Sequence, residues 1–461
     1  MLTNYKNLFQ KTLILILLIQ LLFVNVFSQD KISKDKKLFS APEWTKNVVI
    51  YEVNVRQYTP EGTFKAFEKH LPRLKQMGID VLWFMPIHPI GEQNRKGTLG
   101  SYYSIKDYKA INPEFGTEKD FKDLIKKIHE LGMYVMLDWV GNHTSWDNVW
   151  TKTNPEFFSK NEKGEFYPPV ADWSDVIDLN YDNQELRKAM IDAMKYWVKE
   201  FDVDGFRCDF AVGVPLDFWI EARKELEKIK PLFMLAEASE PYLHEAFDAT
   251  YNWQLKDVMN NIPKGKMNAK DLANHILNEI KNYPVDGYRL NFTTNHDENS
   301  WSGTEFERLG NAVDAFNVFI FTTKGIPLIY SGQETGLNKR LRFFDKDTIF
   351  WNDLKYEEFF SSLIKLKKEN KALWNGKYGG DIKLLKNNND ESIISFLRYT
   401  ENNKVISIFN FSPENKSVNI DCEDIKGTYK NYFTGESINL TEDYTFNLKP
   451  WDYIILVKKS R

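Results

Sequence analysis

Short apolar runs alternate along the chain with stretches whose apolar residues recur at helical spacing. The strand-like runs are Val48–Val53, Val81–Met85, Tyr134–Leu137, Gly205–Asp209, Leu232–Glu237, Thr250–Trp253, Arg289–Thr294 and Pro327–Tyr330. Between the first two runs, one face of a predicted helix carries Phe64, Phe67, Leu71 and Leu74. These alternations, with strands that are apolar almost throughout, predict an α/β fold, a closed parallel (β/α)8 TIM barrel.

Two regions break this rhythm. Residues 141–175 follow the third run and are rich in Pro, Gly, Asn and Trp, which predicts a short insertion at the barrel rim. Beyond about Asn375 the helical stretches stop, and short strand-like runs follow one another across Asn- or Gly-containing turns. These runs are Ser392–Tyr399, Lys404–Phe411, Tyr429–Phe433 and Asp452–Val457. They predict a C-terminal antiparallel β-sandwich domain over residues 376–461, after a barrel domain over residues 29–375.

The first 28 residues have a different character. Lys6 and Lys11 precede the apolar stretch Leu13–Val24, and the small residue Ser28 follows at a plausible cleavage point. This order is typical of a secretory signal peptide, and the apolar stretch is shorter than the roughly 20 residues of a membrane span. We therefore expect cleavage near Ser28, an exported protein (periplasmic or secreted) and no stable membrane span after cleavage.

The charge and composition of the chain limit the classes of binding partner to be expected. The formal charge is −4 and no basic block follows the N-terminus, so nothing favours nucleic acid. Of the two cysteines, Cys208 lies in a predicted barrel strand and Cys422 in the distant C-terminal region, so we expect no disulfide between them. Aromatic residues make up 15% of the chain, which suits a thick core and also suits carbohydrate, whose C–H faces stack on aromatic rings.

Polar and charged residues appear abruptly at the ends of four predicted strands. The segments are Asp138–His143, Gly205–Asp209, Met234–Glu237 and Thr293–Asp297. In a (β/α)8 barrel the strand bodies form the core while their C-terminal ends point into a solvent-facing site. The ordered set of four segments therefore predicts one catalytic site at the C-terminal rim.

Three acids dominate these segments. Arg207 lies two residues before Asp209, so both face the same side of the strand, and the guanidinium favours the ionised carboxylate that a nucleophile requires. Glu237 ends an apolar strand, and desolvation there would raise its pKa as a general acid requires. Asp297 adds a third acid. Any one acid could instead form a rim salt bridge or cap a helix, but the set favours catalysis.

The chain resembles the α-amylase family of retaining glycoside hydrolases (family 13), from about Val49 to its end. The four segments stand in the family's order. Flanking motifs agree, namely Tyr103–Tyr108 (YSIKDY) with Asn112–Thr117 (NPEFGT) after the second strand, and Gly325–Glu334 (GIPLIYSGQE) at the eighth.

The resemblance implies a role for each site residue. Asp209 is the expected nucleophile, Glu237 the acid/base, and Asp297 the acid that holds sugar hydroxyls and stabilises the transition state. The expected sugar contacts are Arg207, His143, His296 and Tyr103, the last by stacking on the ring. The implied reaction is double displacement with retention, on an α-glucan or maltooligosaccharide substrate.

One departure from the family affects the metal. Residues 210–215 read FAVGVP, where many α-amylases carry a Lys-His pair that lines the leaving-group subsites and whose His gives a backbone ligand to calcium. Asn142 could still coordinate a metal or could serve a structural hydrogen bond. We expect no cofactor for the chemistry and assign no metal ligand, and structural calcium stays open. Trp146 and Trp173 in the insertion are either sugar platforms or core residues of the insertion.

Three functions stay open at this point. An exported hydrolase of the α-1,4-glucosidic bonds of starch, glycogen or maltooligosaccharides comes first. A glucanotransferase or branching enzyme would share every motif, because the difference is whether water or a sugar hydroxyl reaches the intermediate. A non-catalytic glucan-binding relative would have lost a catalytic acid, and none is lost. Oligomeric state, linkage preference and endo or exo action are not readable from the motifs.

Overall fold

The computed structural model describes residues 39–459 of the chain, so the predicted signal peptide lies outside the described residues. Eight parallel strands form a closed barrel in which β1 pairs with both β2 and β8. The strands are β1 (Ile50–Val53), β2 (Val81–Phe84), β3 (Tyr134–Val140), β4 (Gly205–Asp209), β5 (Phe233–Ala236), β6 (Ala249–Tyr251), β7 (Tyr288–Asn291) and β8 (Ile326–Tyr330). Each coincides with a predicted run, and the barrel prediction is confirmed.

Helices surround this barrel. The α-helices are Val55–Tyr58, Phe64–Glu68, Leu71–Met77, Glu118–Glu130, Trp150–Thr153, Gln184–Phe201, Leu216–Glu227, Trp253–Asn261, Ala269–Asn282, Glu305–Leu309, Val313–Thr322 and Glu357–Glu369. The helix predicted from Phe64 to Leu74 is in fact two, because Thr63 caps the first and Pro72 stands in the first turn of the second. A single π-helical turn, Glu298–Ser302, follows the end of the Asp297 segment.

The strands are buried on both faces. Inside the barrel, Trp83, Met136, Leu235, Tyr251 and Leu290 belong to one apolar cluster, and a larger cluster joins the outer strand faces to the helices. Because both faces are covered, the first polar groups that reach solvent are those at the strand ends.

Two short antiparallel strands pair at the two ends of the predicted rim insertion, the second just after residue 175. They are His143–Ser145 and Val176–Asp178, with His143 opposite Asp178. The intervening residues therefore leave from and return to the barrel mouth beside β3.

The C-terminal region forms two antiparallel layers around a shared apolar cluster. Its strands are β9 (Asp381–Leu384), β10 (Ile393–Thr400), β11 (Asn403–Asn410), β12 (Lys416–Asn419), β13 (Gly427–Asn431), β14 (Ser437–Leu440), β15 (Thr445–Leu448) and β16 (Tyr453–Lys459). Six form a sheet in the order β9-β10-β11-β16-β13-β14, and β12 pairs with β15. The β-domain prediction is confirmed. Sequence reading missed β9, β12, β14 and β15.

Two further findings bear on earlier expectations. Cys208 and Cys422 are both buried and free. Within residues 39–459, no helix combines the length and the apolar character that crossing a membrane requires.

Candidate active site

A cavity of about 770 Å³ opens at the C-terminal ends of the barrel strands. Six of the seven predicted site residues line it, namely Tyr103, His143, Asp209, Glu237, His296 and Asp297. The seventh, Arg207, is fully buried beneath them. The four strand-end segments therefore converge on one site, as the barrel topology requires.

Arg207 holds the acids together. Its Nη1 lies 2.8 Å from Asp209 Oδ1 and 2.8 Å from Asp138 Oδ1, and its Nη2 lies 3.0 Å from Glu237 Oε1. A single guanidinium thus contacts acids from β3, β4 and the end of β5, so Asp209 and Glu237 face the same space. Sequence analysis included Asp138 in a strand-end segment but assigned it no role.

The backbone turns sharply after Asp209. Phe210 has φ 40° and ψ 50°, a left-handed conformation that a residue with a bulky side chain rarely adopts. In this conformation its N–H donates to Glu237 Oε2 at 2.7 Å. The strained turn therefore fixes one oxygen of Glu237 relative to Asp209.

Burial separates the two carboxyl groups in pKa. It raises the pKa of Glu237 to about 8, opposed by Arg207, and raises that of Asp209 to about 6, again opposed by Arg207. Sequence reasoning anticipated the upward shift of Glu237. For Asp209 it identified the effect of Arg207 correctly but missed that burial outweighs it. Near pH 7 the more acidic Asp209 is mainly ionised while Glu237 mainly keeps its proton.

A chain of hydrogen bonds places Tyr103 and His296. The Tyr103 hydroxyl donates to Asp138 Oδ2 at 3.0 Å and lies 2.7 Å from His296 Nε2, while His296 Nδ1 lies 2.5 Å from Glu52 Oε1. Burial lowers the pKa of His296, but the Asp297 and Glu52 carboxylates outweigh it and raise the pKa to about 9. A protonated His296 donates from both nitrogens, and its Nε2 is also 3.3 Å from Asp297 Oδ2.

His143 is neutral near pH 7, unlike the protonated His296. Burial lowers its pKa to about 4, so the ring is neutral near pH 7. The Asn142 side-chain amide lies 3.2 Å from His143 Nδ1, and as the donor it leaves the ring proton on Nε2. That Nε2 lies 3.9 Å from Asp209 Oδ2, at the cavity wall. Asn142 thus orients His143.

Aromatic side chains form the cavity rim. Trp301 is 55% exposed, and its ring centroid lies 5.2 Å from that of Phe343 and 5.6 Å from that of Phe344. Trp173 and Phe210 also line the cavity, and their ring centroids lie 5.4 Å apart. This is the position that a role of Trp173 as a sugar platform would require. Trp146 packs on the core instead, with its Nε1 donating to Ser174 O at 3.0 Å.

Sequence reasoning missed Trp301, Phe343, Phe344 and Lys96. They come from loops that carry no periodic pattern, and a local signal exists only for Trp301, which stands four residues after Asp297.

Two residues near the candidate calcium position, Asn142 and Asp175, already have protein partners. Calcium prefers six to eight oxygen ligands. Within residues 39–459 there is no group of three or more His, Cys, Asp or Glu side chains that could hold a metal. Asn142 is engaged with His143, and Asp175 in the insertion pairs with Lys96 at 3.0 Å. We therefore derive no step through calcium.

Comparison with known proteins identifies the family. The family description "Alpha amylase, catalytic domain" matches residues 32–173 and 156–377, and "Alpha amylase, C-terminal all-beta domain" matches residues 385–453. Barrel, β-domain and matched families together define a glycoside hydrolase. Within that class, the chain belongs to the α-amylase family, and the resemblance seen in the motifs is confirmed.

Individual relatives are similar over most of the chain. The structure of a noncanonic maltogenic α-amylase, AmyB from Thermotoga neapolitana, aligns with TM-score 0.83 and 35% identity over 90% of this chain and 99% of that one. An α-amylase from Lactobacillus plantarum aligns with TM-score 0.80 and 32% identity over 89% and 98%. A maltogenic α-amylase of Bacillus acidopullulyticus is 28% identical over 481 residues, covering 91% of this chain and 78% of that protein.

Proposed function

We propose that this enzyme hydrolyses α-1,4-glucosidic bonds of starch, glycogen or maltooligosaccharides with retention of configuration. The observation that carries the proposal is the contact of one buried guanidinium, that of Arg207, with both Asp209 and Glu237. It puts two carboxyl groups of different pKa at one cavity, which is the arrangement a double displacement needs.

The first step forms a covalent intermediate. Glu237 gives its proton to the glycosidic oxygen while an Asp209 oxygen attacks the anomeric carbon, and the bond to the leaving sugar breaks. The high pKa of Glu237 keeps that proton available, and the lower pKa of Asp209 keeps the attacking oxygen ionised.

The second step releases the sugar. Glu237, now ionised, takes a proton from water, whose oxygen attacks the anomeric carbon and displaces Asp209. We assign Asp297 and the protonated His296 to the sugar hydroxyls, neutral His143 to a hydroxyl beside Asp209, and Tyr103 to the ring face. Arg207 is buried, so we assign it to the carboxylates rather than to direct sugar contact. The chemistry needs no cofactor, because carboxyl groups perform every proton and covalent transfer.

The activities of the relatives support the substrate class. Maltogenic α-amylases and cyclomaltodextrinases are among the similar proteins. We also propose export of the protein, on the signal-like pattern of residues 1–28 alone.

The test measures product and stereochemistry together. Wild type incubated with soluble starch and maltotriose should release reducing sugar, and NMR during early turnover should show the α-anomer first. Asp209→Asn should lower the rate by about 10⁴-fold or more, because it removes the nucleophile.

Asp192→Asn, which changes an exposed acid on the helix Gln184–Phe201, serves as the matched control and should act as wild type. Equal activity of Asp209→Asn and wild type would overturn the assignment. Transfer products longer than the substrate as the main outcome would replace hydrolysis with transglycosylation.

A further inference from the structure

Lys96 joins three loops across one side of the cavity. Its Nζ donates to Asp172 O at 2.7 Å and pairs with Asp175 Oδ1 at 3.0 Å, both in the insertion after β3. Lys96 itself belongs to the loop after β2, and its ammonium lies 6.0 Å from the Phe344 ring, in the loop after β8. We call residues 96–99, 172–175 and 343–345 the wall.

The loops after β2 and β8 are in direct backbone contact within the wall. Gly97 has φ 62°, and a Cβ there would lie 2.5 Å from Phe344 Cβ, so only glycine permits this approach. Next to it, Leu99 N–H donates to Phe344 O at 2.9 Å. The Thr98 N–H and hydroxyl both donate to Asp345 Oδ1, at 2.9 and 2.6 Å.

A buried arginine anchors both loops from below. Arg56 Nη1 donates to Gly100 O at 3.0 Å and to Phe343 O at 3.5 Å, while its Nε donates to Glu114 Oε1 at 2.8 Å. The side chain is fully buried. The wall is therefore a rigid part of the barrel mouth.

The topology places two of the three wall loops, those after β2 and β8, across the barrel mouth from Glu237. Glu237 follows β5, which stands four strands from β1 in the closed barrel and hence across the mouth from β1, β2 and β8. In the proposed reaction the leaving sugar lies beside Glu237, so the retained sugar extends the other way. Tyr103, which stacks on Phe343 with centroids 6.2 Å apart, marks that direction.

We propose that the wall closes the glycone end of the cleft, so that the enzyme acts at non-reducing chain ends and releases short maltooligosaccharides. Lys96 is the specificity-determining residue, because its ammonium lines the cavity and contacts both the insertion and the Phe344 ring in the loop after β8. The inference rests on the proposed function and adds the mode of attack, which the motifs leave open.

The test compares two substrates that differ only at the non-reducing end. One is 4-nitrophenyl maltoheptaoside with a free end, and the other carries an ethylidene group across the terminal 4- and 6-hydroxyls. Wild type should cleave the blocked substrate at least about tenfold more slowly in kcat/KM, since a closed pocket rejects the added group. Lys96→Met should reduce that preference by about fivefold or more and lengthen the products released from amylose. Lys96→Arg should restore most of the preference.

Lys106→Met is the matched control. Lys106 is 33% exposed, against 31% for Lys96, and pairs with Glu92 and Asp147 away from the cavity lining. It should keep the wild-type preference. Asp345→Asn, which weakens the wall at Thr98, provides a second variant that should move the ratio in the same direction as Lys96→Met.

The outcomes separate the two proposals. Equal cleavage of both substrates by wild type, or an unchanged ratio in folded Lys96→Met and Asp345→Asn, would overturn the wall while leaving the hydrolase intact. Inactivity of wild type on the free substrate would instead overturn the proposed function, and the wall with it.

Discussion

The guanidinium of Arg207 has no exposed surface, so its charge acts on its neighbours with little screening by water. It faces Asp138, Asp209 and Glu237, and each of these carboxyl groups has a pKa raised by burial and lowered by this one cation. Glu237 ends with the higher value, about 8 against about 6 for Asp209. Burial, Arg207 and the neighbouring carboxylates together give the site one group suited to act as an acid and one suited to act as a nucleophile.

The pH–rate profile should therefore be bell-shaped, with an acid limb set by Asp209 and an alkaline limb set by Glu237. Below about pH 6, the pKa of Asp209, this residue gains a proton and stops attacking. Above about pH 8, the pKa of Glu237, that residue loses the proton it must donate. Because the two groups share Arg207, the values read from kcat/KM belong to the pair. The measurement is kcat/KM on maltotriose across pH 4 to 10.

Glu237→Gln tests whether Glu237 sets the alkaline limb of the pH–rate profile. With an aryl glycoside whose leaving group needs no protonation, this variant should keep the acid limb and lose the alkaline one. An alkaline limb that survives the change would assign it to another group.

Glu52 is a positioning residue at the end of the His296 hydrogen bond. It is fully buried on β1, and its carboxylate helps to keep His296 protonated. Glu52→Gln keeps the shape but removes the charge, so the pKa of His296 should fall from about 9. We expect kcat to fall about 10- to 100-fold with a smaller change in KM, because a neutral His296 holds sugar hydroxyls less well in the transition state.

Nitrogen NMR of the imidazole measures the pKa directly. Glu43→Gln, at a surface glutamate 75% exposed beside Lys46, should leave both the pKa and kcat at wild-type values. A normal kcat in Glu52→Gln together with a lowered His296 pKa would show that the charge of His296 does not matter to catalysis.

Residues on one strand were predictable from sequence, and partners on distant strands were not. Arg207 and Asp209 are two positions apart, so their contact follows from strand geometry alone. Glu52 and His296 are 244 positions apart, and only closure of the barrel brings them together. Glu52 sits in an apolar run, where it has no local signal of function.

The same limit applies to whole elements. The barrel strands were legible because each is a buried run flanked by helical spacing. The missed strands β9, β12, β14 and β15 are four residues long and partly exposed, and their alternation is too short to stand out from a loop. The wall loops carry no periodicity at all, and their order comes from contacts such as that between Gly97 and Phe344.

Gly97 gives the element-scale prediction. Gly97→Ala should destabilise the folded protein by more than about 1 kcal/mol, because it adds both a left-handed alanine and a clash with Phe344. Urea unfolding measures the loss. Gly164→Ala is the matched control, since Gly164 has φ 79° and nothing within 4 Å of the added Cβ.

The difference between these two variants isolates the clash. The clash should also weaken the preference of Gly97→Ala for the free-ended over the blocked substrate, measured as the ratio of their kcat/KM values. Equal destabilisation by the two changes would mean that the loops separate at no cost and that the wall is not rigid.

At the scale of the whole molecule, the β-domain completes the outer layer of the barrel. Every residue of the helix Val313–Thr322 except Asp314 is buried. The ring centroids of Phe316 and Phe411 stack 4.5 Å apart, and those of Phe319 and Phe409 lie 5.5 Å apart. A helix that is buried on nearly every side requires cover on both sides, and the β-domain supplies the second side.

Arg398 on β10 is the polar counterpart of this apolar contact. It is buried and donates to Thr323 O at 2.6 Å and to Gly380 O at 3.2 Å, so it ties the end of that helix to the start of the β-domain. Burial lowers its pKa to about 9, and it stays charged near pH 7. Arg398→Met keeps the volume but leaves these carbonyls without donors, so we expect a loss of about 2–4 kcal/mol in the free energy of unfolding.

Lys404→Met on the neighbouring strand is the control, because Lys404 is only partly buried and its exposed ammonium donates to Asp424 O at the surface. It should change the free energy of unfolding by less than about 0.5 kcal/mol.

Urea unfolding should be followed with two probes. Tryptophan fluorescence reports mainly on the barrel, and far-ultraviolet circular dichroism reports on both domains. If barrel and β-domain are one cooperative unit, both probes should shift together in Arg398→Met. A barrel transition that stays at the wild-type midpoint while another transition moves would show that the two domains unfold independently and that Arg398 stabilises only its own sheet.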